Sequence, residues 1–381
     1  GLCADFRRSF ITTSVNPYYN SFVRWQFLKL KELGRVKFGK RPSIYSPLDG
    51  QICADHDRAS GEGVIPQAYT CIKIQVLELK GKLAALEGKN VFLVAATLRP
   101  ETMLGQTNCF VLPGAEYGAF QMGNGEVFIC SDRSARNMAY QGYFKETGVV
   151  EKLFDVSGDE LIGLPLKAPQ AIYEKIYALP LLTISMTKGT GVVACVPSDA
   201  PMDFAALRDL KEKPKLREKF HVTDEMVLPY DLVEIIEIPG LGRRAAETIC
   251  EQLRVKSQND TVKLAEAKEL AYKKGFYEGV MILGSQSGKR VEEAKVAAQQ
   301  EMIDAGEAFL YYEPNGQVIS RSGDECVVTF SDQWYLTYGE KDWQQPVMQY
   351  IREKLETFNP KTKQALEASC DWLSSWACSR Q

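Results

Sequence analysis

The sequence predicts an α/β fold, with a compact β-rich core decorated by helices. Val91–Ala96 is a continuous apolar run of strand length, and Glu126–Cys130, Ile172–Leu179 and Gly191–Val196 are further strand candidates through the middle of the chain. The helical patterns between and after them are joined by irregular connections, unlike a regularly wound parallel sheet. Hydrophobic residues make up 45% of the chain and charged residues 25%, an ordinary balance for a folded protein. A length of 381 residues leaves room for two or three domains, or for one large domain with insertions.

Taken in order, Asn16-Pro17 opens an amphipathic helix over Tyr18–Leu33, with Phe22, Phe27, Leu28 and Leu30 among its apolar residues and Gly34 at its end. Ser46–Gly50 reads as a turn and Asp55–Arg58 as a polar loop. Asp132–Tyr140 is a short helix. Asp260 is expected to cap a helix through Lys274, with Leu264, Ala267 and Leu270 on one face and Gly275 as terminator. Arg290–Ala305 carries Val291, Ala294, Ala298 and Met302 on one stripe. Helical segments rich in Trp and Lys close the chain after Asp332–Leu336.

Several chemistries are excluded early. His56 and His221 are the only histidines, far apart and in no motif, so each reads as a surface or loop residue. A Ser-His-Asp or Cys-His machine and a His-rich zinc site are therefore not expected. Ten cysteines lie singly from Cys3 to Cys378, none in a Cys-x-x-Cys pair, as free thiols in a reducing cytosol would. Gly284–Arg290 lacks the spacing of a phosphate loop and reads as a turn between strand and helix. The net charge of −3 argues against a general polyanion binder, so any nucleic acid must be met at a shaped pocket or a local basic surface. No apolar run approaches bilayer length. The N-terminus, Gly1–Arg8, lacks a signal-peptide layout and opens abruptly, as a piece of a longer protein would.

Two segments carry candidate chemistry. In Ala96-Thr97-Leu98-Arg99-Pro100-Glu101-Thr102, Pro100 forces a turn where an apolar strand ends, gathering two hydroxyls, a guanidinium and a carboxylate. That is either an ordinary strand-to-helix turn or a ligand loop. In Lys188–Leu207, Gly189 and Gly191 permit close backbone approach, Val192–Val196 is a buried strand, and Ser198 or Asp199 caps a helix with Pro201 in its first turn. Asp203 shares the core-facing stripe with Leu207 and Leu210. A carboxylate there, near a helix N-terminus, is expected to stay ionised and to want a cation, either in a structural salt bridge or from a ligand.

Thr97–Thr102 resembles the threonine-rich motif of the class I synthetases that edit leucine, isoleucine and valine, and Gly189–Val193 through Asp203 resembles their second editing motif. Gln106–Cys109, Val196–Asp199, Asp332–Leu336 and Ser9–Thr13 are similar to the eukaryotic cytosolic leucyl-type enzymes. The resemblance implies an editing (connective peptide) domain over 65–313, with a small β-barrel core surrounded by helices. It makes 1–64 a flanking segment of the synthetase body and 314–381 the return to the catalytic domain. It implies cytoplasmic hydrolysis of tRNA(Leu) misacylated with norvaline, isoleucine or methionine, by water attack on the ester. The logic is that one methylene is worth only ~1–3 kcal/mol of discrimination, so a second site removes smaller mistakes.

By the same resemblance Asp203 binds the α-ammonium, Thr102 gates against leucine, and Thr97 and Arg99 hold the ester and terminal ribose. Leu98, Lys188, Gly191, Val193, Val196 and Asp199 complete the substrate-binding set, with backbone groups of Gly191–Val196 seating the adenine. The tRNA acceptor end and the amino-acid ester are the implied partners. Other synthetases enter only for the full-length enzyme, and no membrane is involved. The aminoacylation signatures are absent, so no leucine activation is expected, and ATP and Mg2+ belong to the full-length synthetase only. Editing needs no cofactor, and the lone Cys53 in the first flank leads us to expect no zinc. Two other readings stay open: a non-catalytic tRNA- or protein-binding fragment, and a valyl- or isoleucyl-type editor.

Overall fold

A computed structural model describes residues 7, 9–373 and 375–378. Cys3 and most of the Gly1–Arg8 terminus lie outside the described residues. The chain divides into two compact units, Ile44–Thr329 and a smaller one of Gly1–Ser43 with Phe330–Gln381; the segment 65–313 falls inside the larger.

Ten strands of the larger unit form one mixed sheet: β1 Pro66–Val76, β2 Val91–Thr97, β3 Asn108–Val111, β4 Glu116–Gln121, β5 Val127–Cys130, β6 Lys152–Ser157, β7 Pro165–Lys167, β8 Ile176–Pro180, β9 Val192–Cys195 and β10 Ala308–Pro314. Their order is β9-β3-β8-β7-β1-β2-β5-β4-β6, and β10 also pairs with β1. β1 is long enough to take two partners along one edge, β10 against Pro66–Ile72 and β7 against Gln75 and Val76. β3 and β5 are buried at every position, which explains why their apolar runs do not alternate. The strand expected over Ile172–Leu179 starts only at Ile176, and Ile172 is exposed.

The expected barrel does not close. β9 comes against β2, yet no backbone ladder joins them among the described residues. Just before β9, Gly189 and Gly191 both take positive φ (66° and 78°), which breaks strand geometry. Between them Thr190 Oγ1, instead of a strand carbonyl, accepts the Ala96 N–H at 3.3 Å. The gap this leaves in the wall borders the cavity described below.

The longer helices around the sheet are α1 Asp132–Ala139, α2 Pro201–Glu212, α3 Ala245–Gln252, α4 Thr261–Glu278 and α5 Val291–Asp304, with shorter ones at Gly158–Leu161 and Pro214–Lys219. Ser131 caps α1 through the Ser134 N–H. α2 departs from expectation: its N-cap is Ala200, with no side-chain bond, so neither Ser198 nor Asp199 caps it. α4 departs further. It runs through Gly275 to Glu278, and Asp260, at its N-cap, accepts from the Lys256 N–H and makes no side-chain bond to the helix. A Cβ at Gly275 would stand 3.2 Å from Ile238 Cδ1, so glycine here serves close packing and not termination. The inner face of α4 is Leu264, Ala267, Ala271 and Gly275, while Leu270 is half exposed. On α5 the four expected residues are all buried.

In the smaller unit Asn16 caps a helix over Pro17–Glu32 by accepting from the Tyr18 and Tyr19 N–H groups. None of its residues is buried, so its apolar side chains find no core among the described residues. The helices Lys341–Glu353 and Pro360–Trp372 join through Arg352–Glu367 at 3.2 Å and Gln344 Nε2 to Cys370 O at 2.9 Å. No helix is long and apolar enough to cross a membrane among the described residues.

Candidate active site

At the end of β2 the Thr97 hydroxyl accepts the Arg99 N–H at 3.0 Å, turning the chain before Pro100 starts a 3-10 turn, Pro100–Gly105. Thr102 donates its hydroxyl to the Arg99 carbonyl at 2.9 Å, which fixes its rotamer. The Arg99 guanidinium bonds Glu101 through Nε at 3.0 Å and pairs with Asp199 through Nη1. It also lies 4.8 Å from the Tyr272 ring centre. These partners tie the threonine loop to the segment before α2 and to α4. Among the described residues, Arg99 Nη2, Glu101 Oε2 and Ser198 Oγ are buried with no hydrogen-bond partner.

Asp203, in the first turn of α2, is 7% exposed, and its Oδ2 accepts the Val196 N–H at 2.8 Å. Burial raises its carboxyl to about 7, against the downward pull of that N–H and of the Lys268 charge, while the Asp199 carboxylate adds to the rise. This corrects the expectation of a carboxylate held ionised by the helix N-terminus. Desolvation outweighs both downward pulls because the side chain is buried. The inward placement itself is as expected.

A cavity of about 420 Å³ opens here. Thr97, Leu98, Arg99 and Thr102 line one side, and Lys188, Gly191, Val193, Val196, Asp199 and Asp203 the other. All ten sequence-derived site residues therefore meet around one space, although about 90 residues separate the two groups. Sequence reasoning missed Lys268 and Tyr272 on α4, Tyr69 on β1, and Thr183–Ser185. Lys268 and Tyr272 stand one turn apart on α4, and no local signal in the sequence marked them. His56 and His221 are absent from the lining. Among the described residues no three His, Cys, Asp or Glu side chains converge as a metal site.

No family model matches the sequence. Among solved structures, GlLeuRS-CP1 matches 64% of this chain and 99% of its own length, at 36% identity and a TM-score of 0.61. The Plasmodium falciparum cytosolic leucyl-tRNA synthetase editing domain matches 64% of this chain and 99% of its own, at 27% identity and a TM-score of 0.59. The fold is that of a synthetase editing domain, held within an α/β unit. Along the whole chain, leucine–tRNA ligase, cytoplasmic, from Pongo abelii is 56% identical and that from Saccharomyces cerevisiae 45%. The chain belongs to the cytoplasmic leucyl-tRNA synthetase family. It spans about a third of the length of the curated relatives it matches, 32% and 35% for these two. The valyl- or isoleucyl-type alternative is thereby set aside.

Proposed function

We propose that this chain hydrolyses the ester joining a wrong amino acid, such as norvaline, methionine or isoleucine, to the terminal ribose of tRNA(Leu). The observation that carries the reading is Asp203: a buried carboxyl on a cavity wall with no protein cation bonded to it among the described residues. Its ionised form is unfavourable until a cation arrives, and the α-ammonium of an aminoacyl ester is such a cation. Binding draws the proton off Asp203 and anchors the amino acid by its one constant charge.

Thr102, held by its bond to Arg99 O, forms the fixed wall that excludes leucine. The backbone of Gly191–Val196 faces the adenosine, with Leu98 and Lys188 at the rim. Thr97 and Arg99 shape the threonine loop, and Arg99 acts through its ties to Glu101 and Asp199. A water oxygen adds to the ester carbonyl carbon, the bond to the ribose oxygen breaks, and that oxygen takes the proton. An ester is activated enough that no protein nucleophile is required, so positioning and charge stabilisation supply the acceleration. The vicinal ribose hydroxyl is the candidate general base. Contacts beyond the tRNA end, including other synthetases, belong to the full-length protein.

The test is to incubate the chain at high concentration with norvalyl-, methionyl-, isoleucyl- and leucyl-tRNA(Leu) and follow ester loss. Loss of the wrong esters with leucine retained supports the reading. Binding of tRNA without any ester loss leaves a non-catalytic tRNA-binding fragment in its place.

A further inference from the structure

Glu313, at the end of β10, is fully buried and far in sequence from both editing motifs. Its Oε1 accepts the Gly189 N–H at 2.8 Å, and its Oε2 takes Arg133 Nη1 at 2.7 Å and the Tyr311 hydroxyl at 3.0 Å. Arg133, on α1, also faces Glu325 at 3.7 Å. Two residues on, Asn315 Oδ1 accepts from Lys188 Nζ at 3.4 Å. The Gly189 N–H belongs to the turn that keeps β9 from closing on β2. That turn is held on its other sides by the Thr190 hydroxyl bond to Ala96 N and by the Ser131 N–H on Thr190 O.

We infer that Glu313 is a positioning residue for the pocket: by holding the Gly189 N–H it sets where the Lys188–Gly191 backbone stands over the bound ester. A backbone carbonyl could accept that N–H only if β10 were displaced. A carboxylate reaches it from the strand and is itself neutralised by Arg133. The loop position therefore depends on the strand that leads out of the domain. Because Glu313 is fully buried and Arg133 only partly exposed, removing Glu313 alone leaves the Arg133 charge with Glu325 at 3.7 Å as its remaining acidic partner, and a simple knockout confuses folding with positioning.

The inference rests on the proposed editing reaction, and its test separates the two. Two double variants of the full chain remove the buried charges together. Glu313→Gln with Arg133→Met keeps an acceptor for Gly189, and Glu313→Leu with Arg133→Met does not. Hydrogen exchange at Gly189, read without substrate, is expected to speed up about 100-fold in the second relative to the first, for loss of a buried bond. Norvalyl-tRNA(Leu) hydrolysis is expected to fall in kcat by about 100-fold in the second only, with KM little changed, as a misplacement of about 1 Å would give. Equal exchange at Gly189 in the two variants overturns the tether whatever the activity. Faster exchange with equal kcat overturns the positioning role. A wild-type chain inert on every ester removes the proposed reaction and, with it, the positioning role, while exchange still reports the tether.

Discussion

Asp203 and Val196 are joined across the mouth of α2, carboxylate to backbone N–H at 2.8 Å, and that one bond ties the helix start to the end of β9. It places the only strongly raised carboxyl of the cavity wall where an ammonium can reach it. Asp203→Ala is expected to lower norvalyl-tRNA(Leu) hydrolysis by at least about 100-fold, since losing one partner of a buried charge pair costs about 3–5 kcal/mol. Circular dichroism should show the fold retained. Near-normal deacylation would take Asp203 out of the site.

The same carboxyl predicts a pH profile. With its free-enzyme value at about 7, kcat/KM should fall about tenfold per unit below that pH, and fall again on the alkaline side as the α-ammonium of the ester loses its proton at about pH 8. Asp203→Asn should lack the acid limb. An acid limb surviving in Asp203→Asn assigns it to another group.

Lys268 pulls the Asp203 carboxyl down from α4. Lys268→Met should therefore shift the acid limb of kcat/KM to higher pH, and Lys268→Glu should shift it further. Salt should weaken both effects, because Lys268 is exposed. A limb that stays in place in both variants means that Lys268 does not act on the site.

Stability carries the opposite sign. Burial raises Asp203 from 3.8 in the unfolded chain to about 7 in the folded one, so the folded chain holds the proton more tightly. Its contribution is fully present below about pH 3.8 and is lost as pH rises through about 7, by up to about 1.4 kcal/mol per unit. Asp203→Asn keeps an acceptor for the Val196 N–H without the charge. Urea melts should show this variant gaining on the wild type from pH 5 to pH 8. A constant difference over that range would contradict a raised carboxyl.

Thr102 separates shape from hydrogen bonding. Thr102→Ala should allow leucyl-tRNA(Leu) to be hydrolysed while norvaline cleavage changes little, because it opens the wall. Thr102→Val keeps the volume and loses only the bond to Arg99 O, at a cost of about 1 kcal/mol in stability. It should still refuse leucine. If Thr102 were only a turn residue, both variants would lower both rates in parallel.

Zinc is expected to be irrelevant. Cys53 is packed with Ile44, Val318, Cys326 and Val328 in an apolar cluster, where a small side chain suffices. Elemental analysis of the purified chain should find no stoichiometric zinc, and a chelator should leave its melting temperature unchanged. One zinc per chain would overturn this.

The sequence by itself marked several of the elements and ten residues that line the pocket, because both are local signals. Apolar runs at strand length marked β2, β5 and β9, and the Thr97–Thr102 and Gly189–Asp203 motifs supplied residue types whose order resembles a known site. Where those signals failed, a contact distant in sequence had overridden a local preference. Gly275 looks like a helix end, but Ile238 packs against it and α4 continues to Glu278; the placement of α4 against the cavity is what brings Lys268 and Tyr272 to the pocket. Asp260 stands at the N-cap of α4 but makes no side-chain bond to the helix, and Ser198 is not the cap of α2. Only the tertiary structure decided that the sheet stays open at Gly189–Gly191 and that Glu313 holds the turn there. It also decided that Asp203 is held near 7 and not as a permanent anion. Each of these depends on how much water neighbouring elements exclude and which polar groups they bring within 3 Å, and residue spacing along the chain encodes neither.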